Sequence, residues 1–170
     1  MSTMVTINTQ IDPQYQAWID SPRLTAIIQN TLHSCHVDNA ELTLVVTSDV
    51  ILRQLNHDYR GIDEITDVLS FESKSTDDMF VNPLESIPYL GDVIISAPTA
   101  TKQASIAGHA PFEEVIFLAV HGTLHLLGFE HDTSSEKEVM WQKQNQILCK
   151  NQLEHLSTTP RAVQCYFLTR

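Results

Sequence analysis

Three histidines fall within the stretch HGTLHLLGFEHD, which spans residues 121–132. His121 and His125 are four residues apart, so an α-helix would place them on one face, about 6 Å apart along its axis. His131 follows after six more residues and could not reach that face if the helix continued. Gly128 stands between them, where a left-handed glycine would end the helix and turn the chain back. We therefore predict that the three histidines converge, the third of them from a loop.

Three convergent imidazoles predict a metal site. Nitrogen ligands suit Zn²⁺, with Ni²⁺, Cu²⁺ or Fe²⁺ as alternatives, and we expect a single ion in each chain. Three protein ligands leave a position for water, which is typical of catalytic rather than structural zinc. The metal lowers the pKa of such a water towards neutrality, so the predicted chemistry is hydrolysis.

The residue after the first histidine distinguishes between substrates. Metzincin peptidases carry HExxHxxGxxH, in which the glutamate is the general base, whereas this chain has Gly122 at that position. Peptide bonds are poor electrophiles and need the base, so peptidase activity is disfavoured. RNA is a better substrate for such a site, because its 2′-hydroxyl can supply the nucleophile, or metal hydroxide can attack it, while a cation stabilises the charge on the phosphate.

Phosphate chemistry also favours an arginine, whose planar guanidinium matches two phosphate oxygens. Arg60 is the candidate, since it lies in LNHDYRGIDEITDVLSF at the end of a predicted helix and before a predicted strand. A surface ion pair with Asp58 or Asp63 is an equally good interpretation of this arginine from the sequence alone. The other histidines are assigned to packing or to solvent: His33, His36, His57, His109 and His155.

Length and composition limit the class of protein. The chain has 170 residues, of which 42% are hydrophobic, and a formal net charge of −11. We expect one metal-dependent hydrolase domain over residues 1–156 and a loosely ordered tail over 157–170. The negative charge argues against a protein that coats nucleic acid non-specifically. Neither a bilayer-spanning apolar run nor a secretory signal is visible, and the three cysteines form no CxxC pair, so we expect a cytoplasmic protein.

The periodicity of apolar residues predicts the elements that position these groups. Strands are expected at 5–11, 41–48, 67–73 and 90–96. Helices are expected at 23–35, 49–59, 96–108, 111–128 and 134–156, and a surface loop at 75–89. The result is an α/β (α+β) fold, with a small four-stranded mixed sheet packed with about five helices. A central buried helix, apolar on nearly every side, would carry the metal-binding histidines.

The segments LNHDYRGIDEITDVLSF, LGDVIIS and HGTLHLLGFEHD, in this order and at these separations, resemble the YbeY-type bacterial endoribonucleases, the rRNA maturation factors. The likeness covers roughly residues 41–150. It implies a single-strand-specific, metal-dependent endoribonuclease that acts in 3′-end maturation of 16S rRNA and in ribosome quality control. The implied zinc ligands are His121, His125 and His131, with Arg60 as the required basic residue of the cleft. The implied partners are single-stranded RNA or the 16S rRNA precursor, and the ribosomal small subunit or its proteins; no membrane is expected.

Other residues of these segments receive weaker assignments. Asp67 and Ser70 are interpreted as structural, with Asp67 also a candidate hydrogen-bond partner of a ligand histidine. Glu130 and Asp132 flank His131 and are the nearest carboxylates in sequence, without an assigned catalytic role. Two alternative functions remain open at this point. One is a metalloprotease-like hydrolase with a non-standard base, and the other is a non-catalytic, metal-stabilised ribosome assembly factor.

Overall fold

Alternating apolar residues and β-branched side chains build one mixed sheet. The computed structural model describes residues 4–73, 87–157 and 166–169. Within these ranges the strands are β1 (Met4–Ile11), β2 (Asn39–Thr47), β3 (Val68–Glu72), β4 (Tyr89–Ser96) and β5 (Tyr166–Thr169). Their order in the sheet is β1-β2-β4-β3-β5. β1 pairs parallel with β2, β2 parallel with β4, and β3 antiparallel with β4. The predicted mixed sheet of four strands is thus confirmed.

The fifth strand comes from the segment expected to be a loose tail. β5 pairs parallel with the outer edge of β3, with Leu69 opposite Tyr166 and Glu72 opposite Thr169. The chain between Ser157 and β5 lies outside the described residues, as does the predicted surface loop except for its last residues, 87–89.

The helices of the described ranges agree in number with the prediction. They are α1 (Ser21–Ser34), α2 (Asp49–Arg60), α3 (Ala97–Ala107), α4 (Pro111–Leu126) and α5 (Ser134–Lys150). α1 begins earlier than predicted because the Asp20 carboxylate accepts a hydrogen bond from the Arg23 backbone N–H at 3.0 Å and Pro22 fits the first turn. None of these helices combines the length and apolar character needed to cross a bilayer.

The predicted closing helix, 134–156, is too long. α5 ends at Lys150, and Gln152 adopts a left-handed backbone conformation with φ of 61°. The Leu153 N–H then reaches back to the Leu148 carbonyl at 2.9 Å, which is the hydrogen bond of a Schellman turn. Glycine is the usual residue in such turns, so the glutamine at this position did not indicate that the helix ends here. The turn lets Leu153, which is 1% exposed, enter the core.

The sheet separates two layers of helices. Leu44, Val68 and Val93 belong to a core cluster with residues of α1, α4 and α5. Their neighbours along the strands, including Leu69 and Ile94, form a second cluster with α2. Because successive strand residues point to opposite faces, α4 lies on one face of the sheet and α2 on the other.

Candidate metal centre

The central helix α4 supplies two of the three histidines. Every residue from Glu114 to Leu126 is buried, as the apolar sequence predicts for a helix surrounded by other elements. His121 is 5% exposed and His125 1% exposed, and their ring centroids are 4.9 Å apart. Two polar rings therefore share one face of an otherwise apolar helix, which requires that something satisfy their nitrogens.

The third histidine returns from beyond the helix end. α4 stops at Leu126, and Gly128 has a φ of 87°. The Phe129 N–H bonds to the Leu124 carbonyl at 3.1 Å and the Gly128 N–H to the His125 carbonyl at 3.0 Å, the pair of bonds of a Schellman turn. The prediction that Gly128 ends the helix is confirmed.

After this turn, the His131 ring lies 5.6 Å from that of His121 and 4.8 Å from that of His125, centroid to centroid. One nitrogen from each of the three rings lies within 4.8 Å of the other two, so the three side chains could hold one metal ion. We call these three residues the histidine triad. The predicted convergence is confirmed.

The nitrogens facing one another fit a metal ion. Nε2 of His121 and Nε2 of His131 are buried and have no hydrogen-bond partner within the described residues. A buried, unsatisfied ring nitrogen costs free energy, and a coordinated cation would remove that cost. Three imidazoles form a donor set that zinc and other divalent transition metals accept.

Burial keeps His121 and His125 in the form that binds metals. Burial lowers the pKa of His121 to about 3, helped by the charge of His125 and opposed by a hydrogen bond to Gln144. Burial likewise lowers the pKa of His125 to about 4, helped by the charge of His131 and opposed by a hydrogen bond to the Phe129 backbone. Both rings are therefore neutral at neutral pH, which is the state in which imidazole binds metals.

Gln144 is a functional candidate that the sequence did not reveal. Its Oε1 lies 2.9 Å from Nδ1 of His121, and the residue is fully buried on α5. Asp67, the residue predicted for such a contact, accepts hydrogen bonds from the Val68 N–H at 2.8 Å and the Gln103 amide at 3.0 Å. No sequence spacing connects a residue of α4 to one of α5, so the partner could be found only from the packing of the two helices.

Gly122 explains the missing glutamate. A Cβ atom at this position would lie 2.6 Å from Cγ1 of Val93 and 3.0 Å from Oγ of Ser70. The Ser70 hydroxyl also donates to the Gly122 carbonyl at 2.9 Å. α4 thus approaches β3 and β4 so closely that a side chain at position 122 would have to displace Val93, which disfavours a glutamate base there. Ser70 has the structural role that the sequence predicted.

One carboxylate lies beside the triad. Oε2 of Glu130 is 3.7 Å from Nδ1 of His125. Burial raises the pKa of Glu130, and the charge of Asp132 raises it further. Of the two carboxylates that flank His131 in sequence, the structure therefore brings Glu130 into contact with a ligand candidate.

Arg60 lies in the other layer. It is the last residue of α2, and its Nη1 donates to Oδ1 of Asn56 at 2.9 Å. Asn56 is 1% exposed and donates to the Glu64 carbonyl at 3.0 Å, so it ties the arginine to the loop that leads into β3. The carboxylate of Asp63, an alternative partner in the sequence prediction, is bound by Arg53 at 2.6 Å.

β3 contacts a neighbour of Arg60 on one face and a neighbour of His121 on the other. Tyr59, next to Arg60, packs edge-on against Phe71 of β3 with ring centroids 4.9 Å apart. On the opposite face, Ser70 of the same strand bonds to Gly122, next to His121. The structure thus brings the histidines together, whereas Arg60 is carried by α2, the helix on the opposite face of the sheet from α4.

The chain resembles known proteins over most of its length. The sequence model of the family described as Endoribonuclease YbeY matches residues 8–152. A protein named Endoribonuclease YbeY from Roseiflexus sp. (strain RS-1) is 39% identical over 145 residues, which cover 84% of this chain and 91% of that protein. Another from Geobacillus kaustophilus is 44% identical over 115 residues, covering 66% of this chain and 74% of that protein.

The fold has a counterpart among solved structures. The solution structure of a protein from Thermotoga maritima superposes with a TM-score of 0.55 and covers 94% of this chain and 98% of that one. The two sequences are 16% identical, so this likeness concerns the fold.

Proposed function

Because the chain belongs to the Endoribonuclease YbeY family, we propose that it is a metal-dependent endoribonuclease specific for single-stranded RNA. Its role would be 3′-end maturation of 16S rRNA and ribosome quality control in the cytoplasm. The observation that carries the metal dependence is the convergence of His121, His125 and His131, with two buried nitrogens that lack a hydrogen-bond partner in the described residues. Zn²⁺ is the proposed ion, with Ni²⁺ or another divalent transition metal as the alternative.

The residues of the chain have separate roles in the proposed reaction. When bound, the metal supplies a Lewis acid for a phosphate oxygen and acidifies water. The histidine triad would hold that metal, with His121 and His125 as neutral rings. Arg60 binds the phosphate with its planar guanidinium, and Asn56 holds the guanidinium in place through the hydrogen bond at 2.9 Å. Gly122 lets the triad lie directly against the sheet.

The absence of a general base at position 122 of α4 indicates which class of bond the site could cleave. A peptide bond needs a general base at the position of Gly122, where a Cβ would meet Val93 at 2.6 Å. An RNA phosphodiester has an internal nucleophile, the 2′-hydroxyl, and its cleavage depends mainly on stabilisation of the charge on the phosphate. The geometry therefore favours cleavage of an RNA phosphodiester over peptide hydrolysis, and it does not support the metalloprotease alternative.

The charge of the chain bears on how it meets RNA. A net charge of −11 repels a polyanion over most of the surface. Delivery by a partner would overcome this repulsion, and the ribosomal small subunit or one of its proteins is the proposed partner. Co-sedimentation with small subunits at moderate salt is the expected result, and protein confined to the top of the gradient would contradict it.

Cleavage of RNA by zinc-loaded protein tests the central claim. A single-stranded RNA and a duplex of the same sequence are incubated with wild type, with wild type in chelator, and with His125→Ala. We expect cleavage of the single strand by zinc-loaded wild type alone. Equal cleavage by wild type and His125→Ala would assign the activity to a contaminant. Absence of cleavage by a protein that binds one zinc, on free RNA and on small-subunit particles alike, would favour the assembly-factor alternative.

A further inference from the structure

Gln144 carries an inference that deepens the proposed metal site and rests on it. We propose that Gln144 is a positioning residue: its side-chain oxygen holds His121 in the tautomer protonated at Nδ1, so that Nε2 is the metal-binding atom. The contact that carries this is the 2.9 Å distance between Oε1 of Gln144 and Nδ1 of His121. Nε2 of His121, the other ring nitrogen, is the one left without a partner in the described residues.

The place of Gln144 on α5 is not explained by packing. It lies four residues after Met140, three before Ile147 and four before Leu148, all of which are at most 2% exposed. This spacing puts the glutamine in the apolar stripe that faces the core. A buried amide at a core position costs free energy that leucine or methionine would not, unless its bonds serve another purpose.

The tautomer argument fixes which amide atom faces the ring. A neutral imidazole has one N–H and one bare nitrogen, and the bare one binds the metal. If Nε2 is bare, Nδ1 carries the proton and needs an acceptor, which Oε1 supplies. The opposite orientation would aim the amide N–H₂ at Nδ1 and require a proton on Nε2, which would block coordination. The orientation of Gln144 and ligation through Nε2 therefore support each other.

Two features of the site make this bond consequential. His121 and Gln144 are on different helices, so the contact ties α5 to the histidine triad that α4 and the following turn carry. An acceptor on the distal N–H also makes the ligating nitrogen more basic. Removing such a partner typically weakens metal binding about 10- to 100-fold.

The test measures zinc affinity by competition with a chromophoric chelator, using ZnCl₂ and four full-length proteins. These are wild type, Gln144→Met, Gln144→Glu and the matched control Gln146→Met, which changes an exposed residue of the same helix. We expect Gln144→Met, which lacks an acceptor, to bind zinc about 10- to 100-fold more weakly than wild type. Gln144→Glu keeps an acceptor and should bind zinc at least as tightly as wild type. Gln146→Met should match wild type.

Nitrogen NMR of the histidine rings separates positioning from packing. In zinc-loaded wild type, His121 should show a protonated Nδ1 and a metal-shifted Nε2. Ligation of His121 through Nδ1 would overturn the proposal even if Gln144→Met failed to fold. Zinc binding by Gln144→Met within about twofold of wild type would also overturn it, since loss of the acceptor should cost at least about tenfold. Wild type that binds no zinc would instead refute the proposed metal site, so the two failures are distinguishable.

Discussion

The two faces of the sheet differ in how far their polar side chains are exposed to solvent. On the α4 face, His121 and His125 are at most 5% exposed, and Oε1 of Gln144 lies 2.9 Å from Nδ1 of His121. On the α2 face, Arg53 and Asp63 form an ion pair whose side chains are more than half exposed. A buried group keeps its position without help from solvent, whereas exposed ion pairs contribute little to stability.

The proposed function needs two kinds of group, metal ligands and a phosphate-binding side chain, and the two faces of the sheet suit them differently. Metal ligands need rigid geometry and neutral rings, and the packed α4 layer supplies both. A phosphate-binding arginine needs access to a large substrate, which the end of α2 allows. Arg60 is an intermediate case, because the residue is half-buried and its guanidinium donates to the buried Asn56. Substitutions on the two faces should therefore have different effects, on zinc binding for the α4 face and on RNA cleavage for the α2 face.

The largest effect is expected on the α4 face. His125→Ala removes a ligand, so zinc should no longer stabilise the protein. Zinc at about 1,000 times its dissociation constant should add about 4 kcal/mol to the unfolding free energy of wild type and essentially none to that of the variant. Thermal unfolding with and without zinc measures this. His33→Ala, at an exposed histidine outside the triad, is the control and should keep the full zinc effect.

The next effect is expected on the α2 face and should leave the metal untouched. Arg60→Lys keeps the charge but loses the planar fork, so cleavage of single-stranded RNA should fall about 100-fold. Zinc affinity should stay within about twofold, because Arg60 is not among the three residues that could hold the ion and belongs to a different helix from His121 and His125. Arg53→Lys, on the same helix but paired with Asp63, serves as the control. Equal losses in the two variants would show that the effect is not specific to Arg60 and would contradict its role in binding phosphate.

A third prediction concerns the contact between α4 and the sheet. Gly122→Ala should destabilise the protein by about 1–3 kcal/mol, since its Cβ would stand 2.6 Å from Cγ1 of Val93. Urea unfolding gives the free energy. The double variant with Val93→Ala removes the clashing methyl group and should recover part of the loss. Stability of Gly122→Ala equal to that of wild type would contradict the close approach.

The smallest effect is expected where α2 and α3 begin. Burial opposes ionisation of Asp49, but hydrogen bonds from the Ser96 and Thr99 hydroxyls and the charge of Lys102 outweigh it, so the pKa of this carboxyl is lowered. A lowered folded-state pKa gives stability that is complete above the unfolded value, about 3.9, and is lost as pH falls through the folded value. Asp49→Asn should therefore cost about 0.5–1.5 kcal/mol at pH 7 and less at pH 3. Urea unfolding at both pH values tests this, and a pH-independent difference would contradict it.

Local spacing predicted most of the metal centre, and long-range packing supplied the rest. The four-residue interval between His121 and His125 and the glycine at 128 specify geometry within one helix and one turn. Gln144 reaches His121 from a separate helix, a contact that no interval encodes. Asn56 is different, because it lies four residues before Arg60, where helical spacing alone places it beside the arginine. The sequence therefore contained the information that Asn56 lies beside Arg60, although Asp58 and Asp63 were predicted as its partners instead.

The fold was predictable where the pattern was periodic. The four long strands and five helices follow from alternation and from helical spacing. The end of α5 was misplaced because Gln152 takes a conformation that glycine usually takes. β5 was missed because a four-residue strand has too few residues to display a period, and its partner β3 is far away in sequence.

The pairing of β5 with β3 also bears on self-association. A strand at the border of a sheet exposes N–H and C=O groups that can recruit an extended segment of another molecule, a common route to aggregation. In this chain the C-terminal segment occupies those groups on β3 from within the same molecule. β5 therefore acts as an internal competitor, and any copy in which it detaches would offer β3 to its neighbours.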